Sequence, residues 1–438
     1  MAVDPNLKSP LVINYNLSIQ HQFGSNLSLE VAYVGNRGNR LLSFTDMNQA
    51  PLGAAYCLNT EHYVTPTTTA PGLSPSQLAG ACAGGALPAG SASVVAIQES
   101  RPFFTKFPYI GFINLVSNKG QGSYNSVQVT LTQRMSHGLS FTAGYTYGHA
   151  LDNGSLNRFG GLPQDSNNLA ANYASGDLDA RHRLSVTATY DIPGPKGFGQ
   201  AFEGWEINAI VNYQSPIVWN AGDGLQPGPP GNDFSGTGDQ TDRWNINGPA
   251  SSFSSGLISI PYCSGFTVTA GGAVNASGAS CNYANAYNAG GGVPFSGSAA
   301  AVAKCAADAA DPNTLAIGGC YASFDGKSVL TPNALGQFGD MGRNIFRDSG
   351  FKNLDMSIFK NFKFRERYGV QARWEVFNVF NHPLAANPYG AGGFVNTGNQ
   401  LNGPPFGSAL ATPDFIAGNP LIGSGSQRVM QVGLKLTF

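Results

Sequence analysis

One pattern constrains this chain more than any other: strict alternation of apolar and polar residues over long segments. At the C-terminus, Met430, Val432, Leu434, Leu436 and Phe438 face one way, and Gln431, Gly433, Lys435 and Thr437 face the other. A two-residue period of this kind specifies a strand with one apolar face. The pattern recurs at Ile13–Phe23, Leu27–Tyr33, Tyr124–Arg134, Leu139–Tyr147, Leu184–Ile192, Trp205–Tyr213, Asn353–Ile358 and Val370–Val376, which with the terminal segment makes nine strands. Arg40 to Met47 and Ile110 to Ser117 are weaker candidates for two more. Strands of soluble proteins usually run about 5–6 residues, whereas a tilted strand crossing a bilayer needs about 9–11. The clear segments here belong to the longer class.

The two faces differ as a membrane barrel requires, apolar and aromatic outside, small and polar inside. Glu206, Arg373 and Glu375 fall on the polar face, where a lumen accommodates charge. There they are lumenal or plug-contact candidates, and Arg373 and Glu375, two apart on one strand, could form an ion pair, contact a plug or touch substrate, the pair or plug contact being the favoured reading. Tyr33, Tyr145, Tyr147, Tyr190, Trp205 and Tyr213 lie near strand ends on the apolar face, the position of an aromatic girdle. Connections alternate in length. Gly24-Ser25, Ser136 to Gly138, Pro193 to Gly204 and Lys363 to Glu366 are short, whereas Asn36 to Ser123, His149 to Arg181, Pro216 to Gly350 and Asn381 to Gln427 are long. Outer-membrane barrels segregate short periplasmic turns from long extracellular loops in this way. The fold class expected is therefore all-β, a transmembrane outer-membrane antiparallel β-barrel of about nine to eleven visible strands with long extracellular loops. Residues 36–123 form one long loop with room for a weak strand pair. Residues 216–350 form another, too long to lack structure of its own, with a helix predicted over Ser298–Ala310 and stopped by Pro312.

Parity adds an expectation about extent. The last strand must end on the short-turn side, so counting back places the start of the first strand on the long-loop side, and the strand count is odd. A complete bacterial barrel has an even number and begins in the periplasm. Residues 1–438 therefore read as the C-terminal part of a larger barrel, without its signal peptide or plug. Met1 to Lys8 has no apolar signal core, and no apolar run reaches the roughly 20 residues of a membrane-spanning helix.

The six cysteines, Cys57, Cys82, Cys263, Cys281, Cys305 and Cys320, all lie in the long loops. Their spacing is too wide for CxxC-type zinc or redox sites, and their even number fits disulfides formed in an oxidising compartment. The four in residues 216–350 allow three pairings.

Several phrases resemble a known family: Asp4-Pro5-Asn6-Leu7-Lys8, Tyr33-Val34-Gly35-Asn36-Arg37-Gly38, Ser123-Tyr124-Asn125-Ser126-Val127-Gln128, Asp179-Ala180-Arg181-His182-Arg183 and Arg373-Trp374-Glu375-Val376-Phe377-Asn378-Val379-Phe380-Asn381-His382-Pro383. With the terminal Phe438 they resemble the barrel of TonB-dependent receptors, specifically the Oar-like group. The resemblance spans most of the chain except Ala50 to Ser100 and Asp223 to Gly339. It implies residence in the cell outer membrane of a Gram-negative bacterium and uptake of a ligand held at the extracellular loops. It also implies partnership with the TonB system through a plug, with outer-membrane lipid, and with barrel-assembly machinery that reads Phe438. The competing expectation is a structural or adhesive surface barrel that pumps nothing.

Other functions find little support. Net charge is −1, which gives no electrostatic footprint for nucleic acid. There is no G-x-S-x-G elbow, P-loop, complete G-x-G-x-x-G or H-E-x-x-H, so no catalytic residue, cofactor or metal is expected and the chain does not read as an enzyme. A secreted hydrolase would need paired carboxylates converging in a cleft. Arg181-His182-Arg183 reads as a solvated strand end rather than an anion site, and His137 as a turn residue. Asp233, Asp239 and Asp242 have carboxylates suited to calcium but lack the spacing of a known calcium loop, and read as a polar loop.

Overall fold

The computed structural model describes residues 1–56, 94–154, 162–195, 197, 200–219, 233–238, 242–253, 260–285, 288–347, 350–364, 368–382 and 427–438. Among these, nine long strands form one antiparallel sheet: β1 (Leu11–Phe23), β2 (Leu27–Asp46), β3 (Asn114–Ser136), β4 (Leu139–Asp152), β5 (His182–Ile192), β6 (Trp205–Gln214), β7 (Phe351–Phe364), β8 (Tyr368–Phe377) and β9 (Val429–Thr437). Each strand pairs with the next in sequence, an up-and-down meander with β1 and β9 at its edges. Two-residue strands Ala2–Val3 and Ala174–Ser175 join β3 and β4 respectively. The tightest turns use left-handed backbone. His137 and Gly138 have φ of 51° and 81°, and a Cβ at Gly138 would lie 2.5 Å from the Asp191 carbonyl oxygen, so only glycine fits there.

The two weaker strand candidates are not separate strands. Arg40 to Asp46 continues β2, and Asn114 to Ser117 begins β3. The 36–123 boundary is corrected accordingly, because the connection between the strands covers only residues 47–113. The reason is that apolar alternation fades where the hairpin no longer has lipid to face, while the backbone ladder continues from Gly35↔Asn125 to Asp46↔Asn114. The hairpin therefore projects well beyond the length that a bilayer requires.

Apolar burial is inverted relative to a water-soluble protein. Trp244, Tyr56, Phe234, Phe253, Phe346, Ile260, Leu315, Leu330 and Met341, among the largest fully buried side chains, all belong to the long connections. The sheet's apolar face is uncovered on the inner strands too, where Val31 is 41% exposed, Val127 43% and Trp374 46%. Water would penalise that face by about 25 cal/mol per Å²; hydrocarbon does not. No helix among the described residues is long and apolar enough to cross a membrane.

Residues 216–350 include a compact unit. Its six-stranded sheet takes the order Asn245–Asn247, Val329–Thr331, Cys320–Ala322, Pro261–Ser264, Ser280–Asn285 and Asn288–Pro294. Cys263 is bonded to Cys281 and Cys305 to Cys320, and all four half-cystines sit in one apolar cluster with Phe266, Leu315 and Val329. A second cluster gathers Trp244, Phe253, Ile260, Tyr321, Leu330, Met341 and Phe346. Cys57 and Cys82 lie outside the described residues. The expected helix runs Ser298–Ala307, and Pro312 does not stop it. Pro312 instead opens a second helix, Pro312–Gly318, capped by the Asp311 side chain accepting from the Asn313 amide at 2.8 Å. Proline suits the first turn because its missing N–H would have had no partner there.

Candidate functional site

Register brings together residues that are distant in sequence. Asp191 pairs with Glu206, Glu206 with Phe359, Phe359 with Arg373 and Arg373 with Gly433. This is one row across five strands on the polar face. The adjacent row carries Thr189, Asn208, Ser357, Glu375 and Gln431. All three lumenal candidates, Glu206, Arg373 and Glu375, thus fall on two neighbouring rows, half-buried.

Their side chains are held by neutral partners. Asn208 Nδ2 donates to Glu206 Oε1 at 2.8 Å and accepts at Oδ1 from Thr189 Oγ1 at 2.6 Å. Arg373 Nε donates to Gln371 Oε1 at 2.6 Å, while Gln371 Nε2 donates to Asn361 Oδ1 at 2.9 Å. The Arg373 guanidinium lies 5.2 Å from the centre of the Phe359 ring, a cation–π contact. Glu375 accepts from Gln431 Nε2. The expected Arg373–Glu375 ion pair is not formed, and none of the three makes an ion pair among the described residues. The two side chains share a strand face but turn to other partners: Arg373 to Gln371 on its own strand and to the Phe359 ring across the sheet, Glu375 to Gln431 on the next strand. The arrangement is a half-buried wall carrying both signs of charge, with amide groups as its scaffolding and Gly433 leaving space opposite Arg373.

The opposite face carries a surprise. Register puts Lys360 beside Trp205, on the apolar side. Its ammonium donates to the carbonyls of Gln200, Ala201 and Glu203 and lies over the rings of Trp205 and Phe362, at 5.0 and 4.9 Å. The cage of carbonyls explains how a charge persists on a lipid-type surface, and alternation alone did not reveal it. The girdle aromatics Tyr33, Tyr145, Tyr147, Tyr190 and Trp205 are exposed on that face, with Tyr213 half-buried. Tyr145 Oη is 2.8 Å from His182 Nδ1.

At the long-loop end, arginines tie the loops to the strands. Arg343 bonds Asp152 Oδ1 at 2.7 Å, Asp177 Oδ1 at 3.4 Å and the Asn172 carbonyl at 2.9 Å. Arg347 reaches Asp179 Oδ2 at 3.2 Å and the Pro216 carbonyl at 3.1 Å. Asp179 also accepts from the Ala150 amide and Arg181 Nε, both at 2.9 Å, and lies 3.2 Å from His149 Nδ1. Burial alone would raise the Asp179 carboxyl, but the Ala150 amide, Arg181, His149 and Arg347 outweigh it and hold the group below its ordinary range. Arg181, His182 and Arg183 diverge to Asp179, Tyr145 and Gln214 respectively, so they do not form one anion site. His137 has Ser136 Oγ beside its ring. Asp233 and Asp242 are brought together through Ser235, whose Oγ donates to Asp233 Oδ1 at 3.0 Å and whose amide donates to Asp242 Oδ2 at 2.7 Å. Asp239 lies outside the described residues.

The family that the sequence matches agrees with this architecture. The family described as outer membrane beta barrel domain matches residues 1–412. No curated protein matches the chain. Among solved structures, the outer membrane transporter YddB from Escherichia coli aligns over 99% of this chain and 33% of its own, at 10% identity and a TM-score of 0.35. The Pseudomonas putida toluene transporter TodX aligns over 84% and 55%, at 9% identity and a TM-score of 0.16. The chain thus spans about a third of the YddB chain.

Proposed function

This chain belongs to the outer membrane β-barrel domain family and resides in the outer membrane, and from that premise we propose that it forms part of the wall of a TonB-dependent receptor that imports a ligand captured at its extracellular loops. The observation that carries the reading is the row of Glu206, Phe359 and Arg373 beside Glu375. Charges held on a lumenal wall by neutral amides are left free to meet a partner in the lumen, and a plug is such a partner. The exposed edges of β1 and β9 accord with a wall continued by further strands. Phe438, 94% exposed at the end of the apolar row of β9, would be the residue read by the assembly machinery.

The test is photo-crosslinking in intact outer membranes, using the product of the whole gene with a photoreactive residue at position 373. The expected product is a crosslink to an amino-terminal plug within the same protein. A plug encoded upstream that crosslinks at none of positions 206, 373 and 375 would overturn the plug-contact reading. A gene encoding no plug and no TonB-contacting segment would favour the second reading, a surface adhesin. That reading draws on the disulfide-stapled unit within residues 216–350.

A further inference from the structure

Where the long connections meet, residues 233–238 are enclosed by other loops. The amides of Ala50 and Gly53 donate to the carbonyls of Thr237 and Ser235, Tyr56 Oη donates to the Asp233 carbonyl, and the Gly336 amide donates to the Phe234 carbonyl. Within this junction Asp233 is fully engaged as a structural anion. Its Oδ1 accepts from Ser235 Oγ, Gly236 N and Thr237 N at 3.0, 2.9 and 3.2 Å, and its Oδ2 from Gly238 N at 2.6 Å.

Asp242 differs. Its Oδ2 takes the Ser235 amide, but its Oδ1 is buried and has no hydrogen-bond partner. Asn333, which comes from a separate loop, places its side chain against Asp242. Asn333 Nδ2 donates to the Gln337 carbonyl, yet Asn333 Oδ1 is likewise buried and unpartnered. Both residues are 0% exposed. Leaving a buried acceptor unsatisfied costs about 1–3 kcal/mol, more when it is charged. Two such oxygens, on different loops and beside a second carboxylate, can be satisfied by a proton, which burial and Asp233 favour on Asp242, or by a positive group that accepts lone pairs and takes that proton's place. Two guanidinium groups lie close by but neither donates to Asp242: Arg101 bonds Asp46 Oδ2 and the Asn48 carbonyl, its Nε buried without a partner, and Arg243 bonds the Met341 carbonyl and Asn172.

We propose that Asp242 Oδ1 and Asn333 Oδ1 bind a hard, oxygen-seeking divalent cation of the calcium class, with Asp233 supplying a second negative charge. Carboxylate and amide-carbonyl oxygens are the donors such ions select. The cation would join Asp242 to the loop that carries Asn333, and so fasten the loop unit that Arg343 and Arg347 tie to the strands.

The test uses the full chain, folded in detergent micelles, treated with chelator and titrated with calcium chloride by calorimetry. Amide hydrogen exchange of residues 233–238 and 333–347 is read in parallel. Saturable binding is expected, with at least tenfold slower exchange in both segments. Asp242→Asn should weaken binding at least tenfold. Asn333→Asp, which adds a carboxylate, should keep or tighten it even if the calcium-free protein is less stable. Absence of binding by the unaltered chain, binding by Asp242→Asn equal to that of the unaltered chain, or loss of binding in Asn333→Asp with the protein still folded would each overturn the proposal.

Discussion

Val211 and Asn212 are neighbours on β6 that face opposite environments. Val211 pairs with Val186 and Leu354, and Asn212 with Ser185 and Asn353. Ser185 Oγ donates to Asn212 Oδ1 at 3.1 Å. Val211→Arg should cost about 2–4 kcal/mol if the residue sits at mid-bilayer, whereas Asn212→Arg should cost well under half as much; unfolding titrations in lipid vesicles check both. At Asp179 the prediction is one of pH. Its folded value is depressed, so its contribution to stability is present above the ordinary aspartate value of about 3.9 and is lost as pH falls through the folded value. Hydrogen exchange of residues 174–182 should rise over that acid window, and Asp179→Asn should abolish the dependence. Glu99 runs the other way, because burial pushes it up to about 7. Its contribution is full below the ordinary glutamate value of about 4.3 and disappears as pH rises through 7. Glu99→Gln should therefore raise the loop unfolding temperature more at pH 8 than at pH 5.

The elements were legible to different degrees. Alternation identified all nine long strands and their apolar face, because the two-residue period belongs to each strand alone. It did not reveal how far β2 and β3 extend, since Gly35, Asn36 and Gly38 carry no apolar stripe while their backbones still pair. It also could not show that Glu206 and Arg373 share a row, because register is a relation between strands. Nor could it find the loop unit's sheet, whose strands are three to seven residues long and pair across distant sequence. There the cysteine bonds act as staples over separations of 18 and 15 residues, each contributing about 3 kcal/mol on loop-entropy grounds. Reduction should expose this unit to protease while leaving β1 to β9 protected. Arg343→Ala should destabilise the attachment of the unit by about 3 kcal/mol, the scale for breaking a buried pair by removing one partner. Faster exchange in residues 172–177 would report it.

At the scale of the whole molecule, core and surface have exchanged places. The large apolar side chains are enclosed in the loops, and the sheet turns its apolar side outward, a distribution that makes sense only with lipid as solvent on that side. The most direct measurement labels single cysteines introduced in turn along Trp205–Gln214, in protein that carries Cys57→Ser and Cys82→Ser and is reconstituted into lipid vesicles; the other four native cysteines are bonded in pairs. Spin-label relaxation by oxygen, which partitions into lipid, should peak at 207, 209, 211 and 213. Relaxation by a water-soluble nickel complex should peak at 206, 208, 210 and 212. A uniform response along the strand, or the opposite alternation, would contradict the account.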